Sequence, residues 1–194
     1  MPKVVDHNER RTRIAEALLR VAGEHGLEAV SLRHVATEAG VTSGMVQHYF
    51  RTKDEMMAFA LEVVRERGEV RLSAAAAALG PDPTPRQLLR TIVAEVLPVD
   101  EPRRVDGRVA LAFLAYTAVR PEVAAPVRAD TKAMLEFMAE RIRAGGPRPG
   151  VDPERAAVGL LALMEGLGVH LLGGHYEPAT ALAALDSYLD TIFE

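Results

Sequence analysis

Gly40 constrains the fold of this chain more than any other residue, because two short amphipathic segments meet there almost without a linker. Residues 31–39 have apolar side chains at helical spacing, and Ser31 is a favourable N-cap. Gly40 suits the left-handed conformation that ends a helix, and Thr42 is a favourable N-cap for the next helix. Since only Gly40 and Val41 separate the two segments, the pattern predicts a helix-turn-helix.

The rest of the chain also has helical patterning, with no sustained alternation of apolar and polar residues and only 5% aromatic residues. Glycine and proline mark the clearest loops, at 80–85 and 145–150. We therefore predict an all-α fold of about nine helices. We divide it into an N-terminal helix-turn-helix domain, 1–53, and a C-terminal helical domain, 54–194. Besides 31–39, the helices are predicted near 8–25, 42–50, 84–97, 101–119, 122–144 and 152–172, from residue 52 and from residue 178.

The helix after Gly40 has two unlike faces. Val46 and Phe50 point inward, with Met45 or Tyr49 beside them. The opposite face is polar, short-chained and uncharged. Glutamine bonds adenine at two atoms, serine and threonine reach bases or phosphates, and glycine lets a backbone approach closely. The base-reading candidates are therefore Thr42, Ser43, Gly44, Gln47 and His48. The alternative for Gln47 and His48 is an ordinary solvated surface.

A phosphate site is predicted directly after this helix. Residues 52–55 (Thr-Lys-Asp-Glu) have the pattern of a capping box, which places Lys53 in the first turn of a helix whose free N–H groups attract anions. Arg33 is a second cationic candidate, and Ser31 and Tyr49 are neutral ones. The alternatives are ordinary surface charge for Lys53 and partly buried packing for Tyr49.

The net charge of −4 restricts where DNA can bind. Residues 1–67 contain 10 basic and 10 acidic side chains, so the net acidity lies in the later part of the chain. DNA binding must therefore depend on a small local patch.

Composition also indicates the compartment. The chain has no cysteine, which excludes disulfides, thiolate metal sites and a cysteine nucleophile. No apolar run is expected to approach the roughly 20 residues of a bilayer span, and residues 1–13 are too polar for a signal peptide. We therefore predict a cytoplasmic protein without a membrane contact, a metal or a cofactor.

Residues 10–58 resemble the TetR family of bacterial regulators. The resemblance lies in 15–27, in 31–42, in Gly44, in the pair Tyr49-Phe50 and in Lys53. It implies that His48 and Tyr49 contact DNA bases or backbone and that Lys53 binds a phosphate. The family usually has an aromatic residue where this chain has Gln47.

Residues 97–101 and 108–113 resemble the C-terminal domain of the BetI-like branch of that family. The family implies a homodimer on a pseudo-palindromic operator, acting as a repressor that a small-molecule effector releases. We therefore expect 1–53 to be the DNA-binding domain and 54–194 the domain for effector binding and dimerisation. The BetI-like resemblance makes a quaternary amine one conceivable effector.

The helix 152–172 supports dimerisation independently, because it is apolar on nearly every side and must be covered on every side. The last helix has an apolar stripe of its own. We predict that both pair with their counterparts in a four-helix interface; the alternative is that helix 152–172 is the core of a monomer. The interface candidates are Leu160, Met164, Leu167, Leu171, Leu182, Leu185 and Leu189.

An effector pocket is predicted between the helices from 84 to 172. Glu165 is the most telling candidate, because a carboxylate in an apolar helix costs free energy unless it is paired. Its partner would be a cationic effector, an arginine or the other subunit. The candidates are Phe113, Tyr116, Met134, Phe137, Met138, Glu165 and His170, any of which could instead be plain core.

Two other classes of protein compete with a ligand-responsive regulator. A di-iron enzyme in a helical bundle needs Glu-x-x-His pairs, which the sequence lacks, as it lacks a P-loop, His-Glu-x-x-His and Gly-x-Ser-x-Gly. We therefore predict that the protein is not an enzyme. A structural DNA-binding protein without an effector would have a solid C-terminal core.

Overall fold

The computed structural model describes residues 7–26, 30–120 and 124–194, with the side chains of 7, 8 and 126 excepted. Within these ranges the chain forms nine α-helices and an isolated antiparallel bridge between Pro147 and Phe193. The prediction of an all-α fold with about nine helices is confirmed. The helices are α1 (His7–His25), α2 (Leu32–Ala39), α3 (Ser43–Tyr49), α4 (Lys53–Ala78), α5 (Pro85–Val96), α6 (Glu101–Ala118), α7 (Ala125–Ala144), α8 (Pro153–Leu172) and α9 (Pro178–Ile192).

Local signals in the sequence set most helix ends. Gly26 and Gly40 have φ angles of 76° and 65°, the left-handed conformation that commonly ends a helix, and for Gly40 this confirms the prediction. Thr84 and Gln87 form a reciprocal capping box at the start of α5, where Pro85 has no N–H to satisfy. Asp152 caps α8 by accepting from the Arg155 N–H at 2.8 Å. For α7, residues 122 and 123 of the predicted start lie outside the described residues.

The chain packs as two compact units. One comprises the described residues of Met1–Arg67 together with Arg108–Val119, and the other those of Gly68–Gly107 and Arg120–Glu194. Helices α4 and α6 each contribute residues to both units. The functional boundary between 53 and 54 stays a prediction, because compact packing and function need not divide a chain at the same residue.

The first unit has a core built from α1, α2, α3 and the start of α4. The apolar stripe of α1 is buried, with Ile14 and Leu18 each only 1% exposed. The Arg11 guanidinium lies over the ring of Phe59 at 4.4 Å and over that of Phe50 at 5.3 Å. These cation–π contacts attach the start of α1 to the residues that follow α3.

The second unit has a core between α5, α7, α8 and α9. Arg90 of α5 binds Asp186 of α9 through two hydrogen bonds, of 2.6 and 3.0 Å. This hydrogen-bonded pair lowers the pKa of the Asp186 carboxyl below its ordinary value. The fully buried apolar side chains of this core are Leu89, Val93, Leu97, Met138, Ile142, Ala157, Leu160, Leu171, Ala181, Leu185 and Leu189.

Helix α8 is unusually apolar for its position. An 18-residue window of it has a mean hydropathy of 1.4, yet only 22% of that window is buried within the chain. The expectation that no segment reaches the length and composition of a bilayer span is therefore wrong for Pro153–Leu172. One such helix is weak evidence for a membrane, because helices that a soluble protein covers pass the same test.

Candidate nucleic-acid interface

The two predicted faces of α3 are present in the structure. Val46 and Phe50 are fully buried, and Met45 and Tyr49 beside them are half-buried. The opposite face is exposed and carries no lysine, arginine, aspartate or glutamate. It consists of Thr42, Ser43, Gly44, Gln47 and His48, which the sequence predicts as base-reading residues.

The turn before α3 is held by backbone hydrogen bonds. The Val41 N–H donates to the Ala36 carbonyl at 2.9 Å and the Gly40 N–H to the Thr37 carbonyl at 3.1 Å, the pattern of a Schellman motif. The Thr42 hydroxyl then accepts from the Met45 N–H at 3.2 Å, which confirms the predicted N-cap. These hydrogen bonds all lie within residues 36–45, so the angle between α2 and α3 is set by local interactions.

The start of α4 differs in one bond from the predicted capping box. The Thr52 hydroxyl accepts from the Glu55 N–H at 3.0 Å, as expected. The Glu55 carboxylate, however, accepts from the Arg51 N–H at 2.9 Å and not from that of Thr52. The carboxylate thus reaches one residue further back, and Lys53 lies half-buried in the first turn of α4.

Ion pairs redistribute charge within the first unit. Glu38 binds Arg20 at 2.6 Å and Glu16 binds Arg67 at 2.9 Å. Among the described residues, Arg33 takes part in no ion pair, and it is exposed beside the N-cap of α2. Two acids of the unit are therefore paired with arginines, and no ion pair within the described residues neutralises the exposed charge of Arg33.

The neutral phosphate candidates keep part of their hydrogen-bonding capacity. The Ser31 hydroxyl oxygen accepts from the His34 N–H at 3.2 Å, which leaves its own O–H able to donate. The ring of Tyr49 packs edge-on against His48 with centroids 5.3 Å apart. All the DNA-contact assignments remain predictions.

The predicted pocket residues fall in both units. Phe113 is buried in the first unit, where the Tyr116 hydroxyl donates to the Asp54 carboxylate at the start of α4. In the second unit Met138 is fully buried in the core, and Phe137 is 37% exposed beneath the Arg141 guanidinium. Met134 packs against the edge of that core.

Glu165 and His170 lie on the exposed surface of α8. The free-energy argument for a partner of Glu165 therefore fails within the single chain, because solvent already reaches the residue. His170 Nδ1 lies 2.9 Å from His175 Nδ1, and its ring also packs on Tyr176. Their place in an effector pocket stays a prediction.

The structure corrects the residues proposed for a dimer interface. Five of them, at positions 160, 167, 171, 185 and 189, are at most 6% exposed within one chain. A side chain that is already covered has no surface to offer a second copy. Met164 and Leu182 are half-buried. The correction applies to Leu160, Leu167, Leu171, Leu185 and Leu189, which belong to the core of the second unit.

Arg10 and Arg13 are the residues near this interface that sequence analysis misses. They line a groove that also contains Val41 and Met45, at the turn and the beginning of α3. The signal was available, since residues 10–13 contain three arginines. The run lies thirty residues before α3, and only the packing of α1 brings it there.

The fold and this surface define a helix-turn-helix DNA-binding regulator. Two protein-family models match the chain. The family model of the bacterial regulatory proteins of the tetR family matches residues 14–59, and the family model of the BetI-type transcriptional repressor C-terminal domain matches residues 85–194. The chain belongs to the TetR family, with a C-terminal domain of the BetI type, and is a transcriptional regulator, not an enzyme.

Curated relatives and solved structures agree with this assignment. The regulator PksA of Bacillus subtilis is 34% identical over 173 residues, which cover 89% of this chain and 83% of the relative. The regulator BetI of Paraburkholderia xenovorans is 27% identical over 195 residues, covering 99% and 97% of the two chains. A transcriptional regulator from Rhodococcus sp. RHA1 is 35% identical with a TM-score of 0.83, covering 94% and 95%.

One further structural neighbour was solved with a ligand. A regulator from Saccharomonospora viridis, in complex with choline, has a TM-score of 0.83 and 23% identity, and covers 97% of this chain and 100% of its own. At this identity the similarity concerns the fold alone.

Proposed function

We propose that the protein is a cytoplasmic repressor that binds a pseudo-palindromic operator as a homodimer and is released by a small-molecule effector. The observation that carries this proposal is the exposed face of α3, from Thr42 to His48. Helices that face only water usually carry long charged side chains there. This face instead has short hydrogen-bonding groups, which suit the edges of bases in a major groove.

The division of labour on DNA follows from this arrangement. Gln47 offers an acceptor and two donors, so it can bond adenine at two atoms. Lys53 and Arg33 neutralise phosphates and set the register of the protein without reading bases. Two copies related by a two-fold axis would then read half-sites one helical turn apart, about 34–36 Å.

The test begins with operator sequences selected from random DNA, followed by fluorescence anisotropy over a range of salt concentrations. Gln47→Ala should relax the preference at its contacted base pair by about 1–3 kcal/mol. Binding that lacks any sequence preference in the unaltered protein would contradict the proposed function.

Lys53→Ala provides the complementary measurement. It should weaken binding to every sequence. It should also reduce the dependence of log K on log salt concentration, because the variant makes one phosphate contact fewer per subunit and so releases fewer counterions when it binds. Lys132→Ala is the matched control, because its side chain is 78% exposed on α7. Equal slopes for the Lys53 variant and this control would refute the phosphate assignment.

The dimer proposal now rests on other residues of α8 and α9. Val158 and Val169 are 55% and 44% exposed, and Ala162 lies between them on the same side of α8. Ala183 is exposed on α9. An apolar helix that is so little covered within one chain needs another surface, and a second copy of the same helix pair would supply it.

Analytical ultracentrifugation at micromolar concentration tests this interface. Val169→Glu should shift the protein to monomers, because it places a carboxylate in an apolar contact. Val70→Glu, at a valine that is 72% exposed on α4, is the matched control and should leave the dimer intact. A monomeric unaltered protein, or an unchanged dimer in the Val169 variant, would contradict the proposal.

The effector part of the proposal is supported by relatives and by one contact. The choline complex from Saccharomonospora viridis and an imidazole complex of the multidrug binding protein EbrR place small molecules in proteins of this fold. In this chain Tyr116 of α6 binds Asp54, the residue after Lys53. An effector that moves α6 would therefore disturb the start of α4 and favour a DNA-incompetent state.

A metabolite screen for release of the selected operator tests this step, with choline and other quaternary amines included. Release should depend on effector concentration and saturate. If no compound changes DNA affinity, the alternative of a DNA-binding protein without an effector is supported.

A further inference from the structure

We infer that Arg10 and Arg13 of α1 form a second phosphate-binding site on the DNA-facing surface, at the opposite end of α3 from Lys53. The inference rests on the proposed function, because it takes α3 to lie in a major groove. It adds a group of contacts from a helix outside the helix-turn-helix and predicts which DNA strand they bind.

The site is a groove between α1 and the turn that leads into α3. Its volume is about 210 Å³. The arginines and one acid form its polar part, and its remaining walls are apolar, including Ile14, which is only 1% exposed. The lining residues are Glu9, Arg10, Arg13, Ile14, Val41 and Met45.

Arg13 lies against the turn. Its Nη2 atom lies 3.5 Å from the position that a Cβ on Gly40 would occupy, which is an ordinary van der Waals distance. Gly40 has a φ of 65°, so the turn favours glycine here for backbone reasons. The charge of Arg13 therefore lies across the α2–α3 turn, close to the recognition helix.

The charges of the groove favour an anion. Among the described residues no acid lies within ion-pair distance of Arg10 or Arg13, whereas Glu16 and Glu38 are both paired with other arginines. Glu9 is the acid in the groove, and it is exposed. Two guanidinium groups against one carboxylate leave a net positive charge, and the planar guanidinium fork matches phosphate oxygens.

The position of the groove identifies the phosphates. Val41 and Met45 put the arginines beside the beginning of α3, while Lys53 follows its end. The seven residues of α3 extend about 10 Å, close to the roughly 12 Å width of a major groove. Cations at both ends of a helix that crosses the groove face its two walls. Arg10 and Arg13 therefore bind the strand opposite the one that Lys53 binds.

Salt-dependent anisotropy on the selected operator tests the site with the full-length protein. A dimer that loses one phosphate contact per subunit loses two, so the slope of log K against log salt should fall by about 1.8 for Arg13→Ala. Raising the salt concentration from roughly 50 to 200 mM should therefore reduce the affinity of the variant by a factor about ten times smaller than the factor for the unaltered protein. Arg13→Lys keeps the charge and should retain most of the slope.

Two further variants separate charge from structure. Glu9→Gln should tighten binding about two- to fivefold at low salt, because it removes a repulsive charge from the groove without adding bulk. A merely structural role for the groove would not produce this gain. Lys132→Ala is again the control for the change in net charge, and circular dichroism verifies that each variant is folded.

The outcomes distinguish this inference from the proposed function. If Lys53→Ala lowers the slope but Arg13→Ala and Arg10→Ala do not, or if Glu9→Gln leaves affinity unchanged, the groove does not bind phosphate and only this inference fails. If the unaltered protein shows no sequence-specific binding, the proposed function fails first.

Discussion

The two glycines of α8 at positions 159 and 166 should respond oppositely to alanine. A Cβ on Gly159 would overlap the hydroxyl oxygen of Tyr188 in α9 and come within 3.1 Å of its Cζ. A Cβ on Gly166 would meet no heavy atom of the described residues within 4 Å. The same substitution in the same helix therefore separates close packing from helix propensity.

The magnitudes follow from these contacts. Alanine gains up to about 1 kcal/mol over glycine inside a helix. At Gly159 this gain is opposed by overpacking of about 1–3 kcal/mol and by loss of the 3.2 Å hydrogen bond from the Tyr188 hydroxyl to the Ala156 carbonyl, about 1 kcal/mol. Gly159→Ala should therefore destabilise the protein by about 1–3 kcal/mol, while Gly166→Ala should stabilise the isolated chain by about 0.5–1 kcal/mol.

Urea unfolding measures both effects at fixed protein concentration, because the stability of the proposed dimer would depend on concentration. Tyr188→Phe removes the overlapping oxygen, so Gly159→Ala should become nearly neutral in that background. The double-mutant cycle should give a coupling free energy of about 1–3 kcal/mol.

The packing argument would be refuted if Gly159→Ala stabilised the protein that retains Tyr188. A coupling free energy near zero would refute it as well. Gly166 lies on the exposed side of α8, so it also reports on the dimer. If a second copy packs closely there, the added methyl group should weaken dimerisation and offset the gain in helix propensity.

Two further predictions concern the second unit. Thr84→Ala removes the cap of α5 and should lower stability by about 1 kcal/mol, measured by urea unfolding, with Thr180→Ala in the first turn of α9 as the uncapped control. Asp186→Asn tests the pH dependence: hydrogen bonding to Arg90 lowers the Asp186 pKa below 3.8, so the pair contributes stability above that pH and loses it as pH falls through the folded-state pKa. The variant should show a shallower loss of stability in acid, and an unchanged acid limb would contradict the assignment.

The sequence determined the features that depend on neighbouring residues. The left-handed Gly40, the Thr42 cap and the buried positions Val46 and Phe50 were all predictable, because caps and helical periodicity act over one or two turns. The exposed, uncharged face of α3 followed from the same periodicity. For that reason the helix-turn-helix could be assigned before any tertiary contact was known.

Helical periodicity could not predict which surface buries an apolar residue. It identified Leu160 and Leu185 as residues that must be covered, but it could not say whether another helix or a second copy covers them. The structure shows that the chain covers both itself, and that Val158 and Val169 remain exposed. The partner of Glu165 was equally beyond periodicity, since its neighbours in the helix are apolar but its own side faces solvent within the chain.

Tertiary structure alone decided which distant residues lie beside α3. Arg13 lies 27 positions before Gly40, yet its guanidinium rests across that glycine. Local patterns carry no information on such contacts, because they depend on how helices pack against each other. The sequence by itself determined an all-α chain in which a recognition helix follows a glycine turn. Packing determined which charges lie beside that helix and which apolar surface of α8 stays exposed.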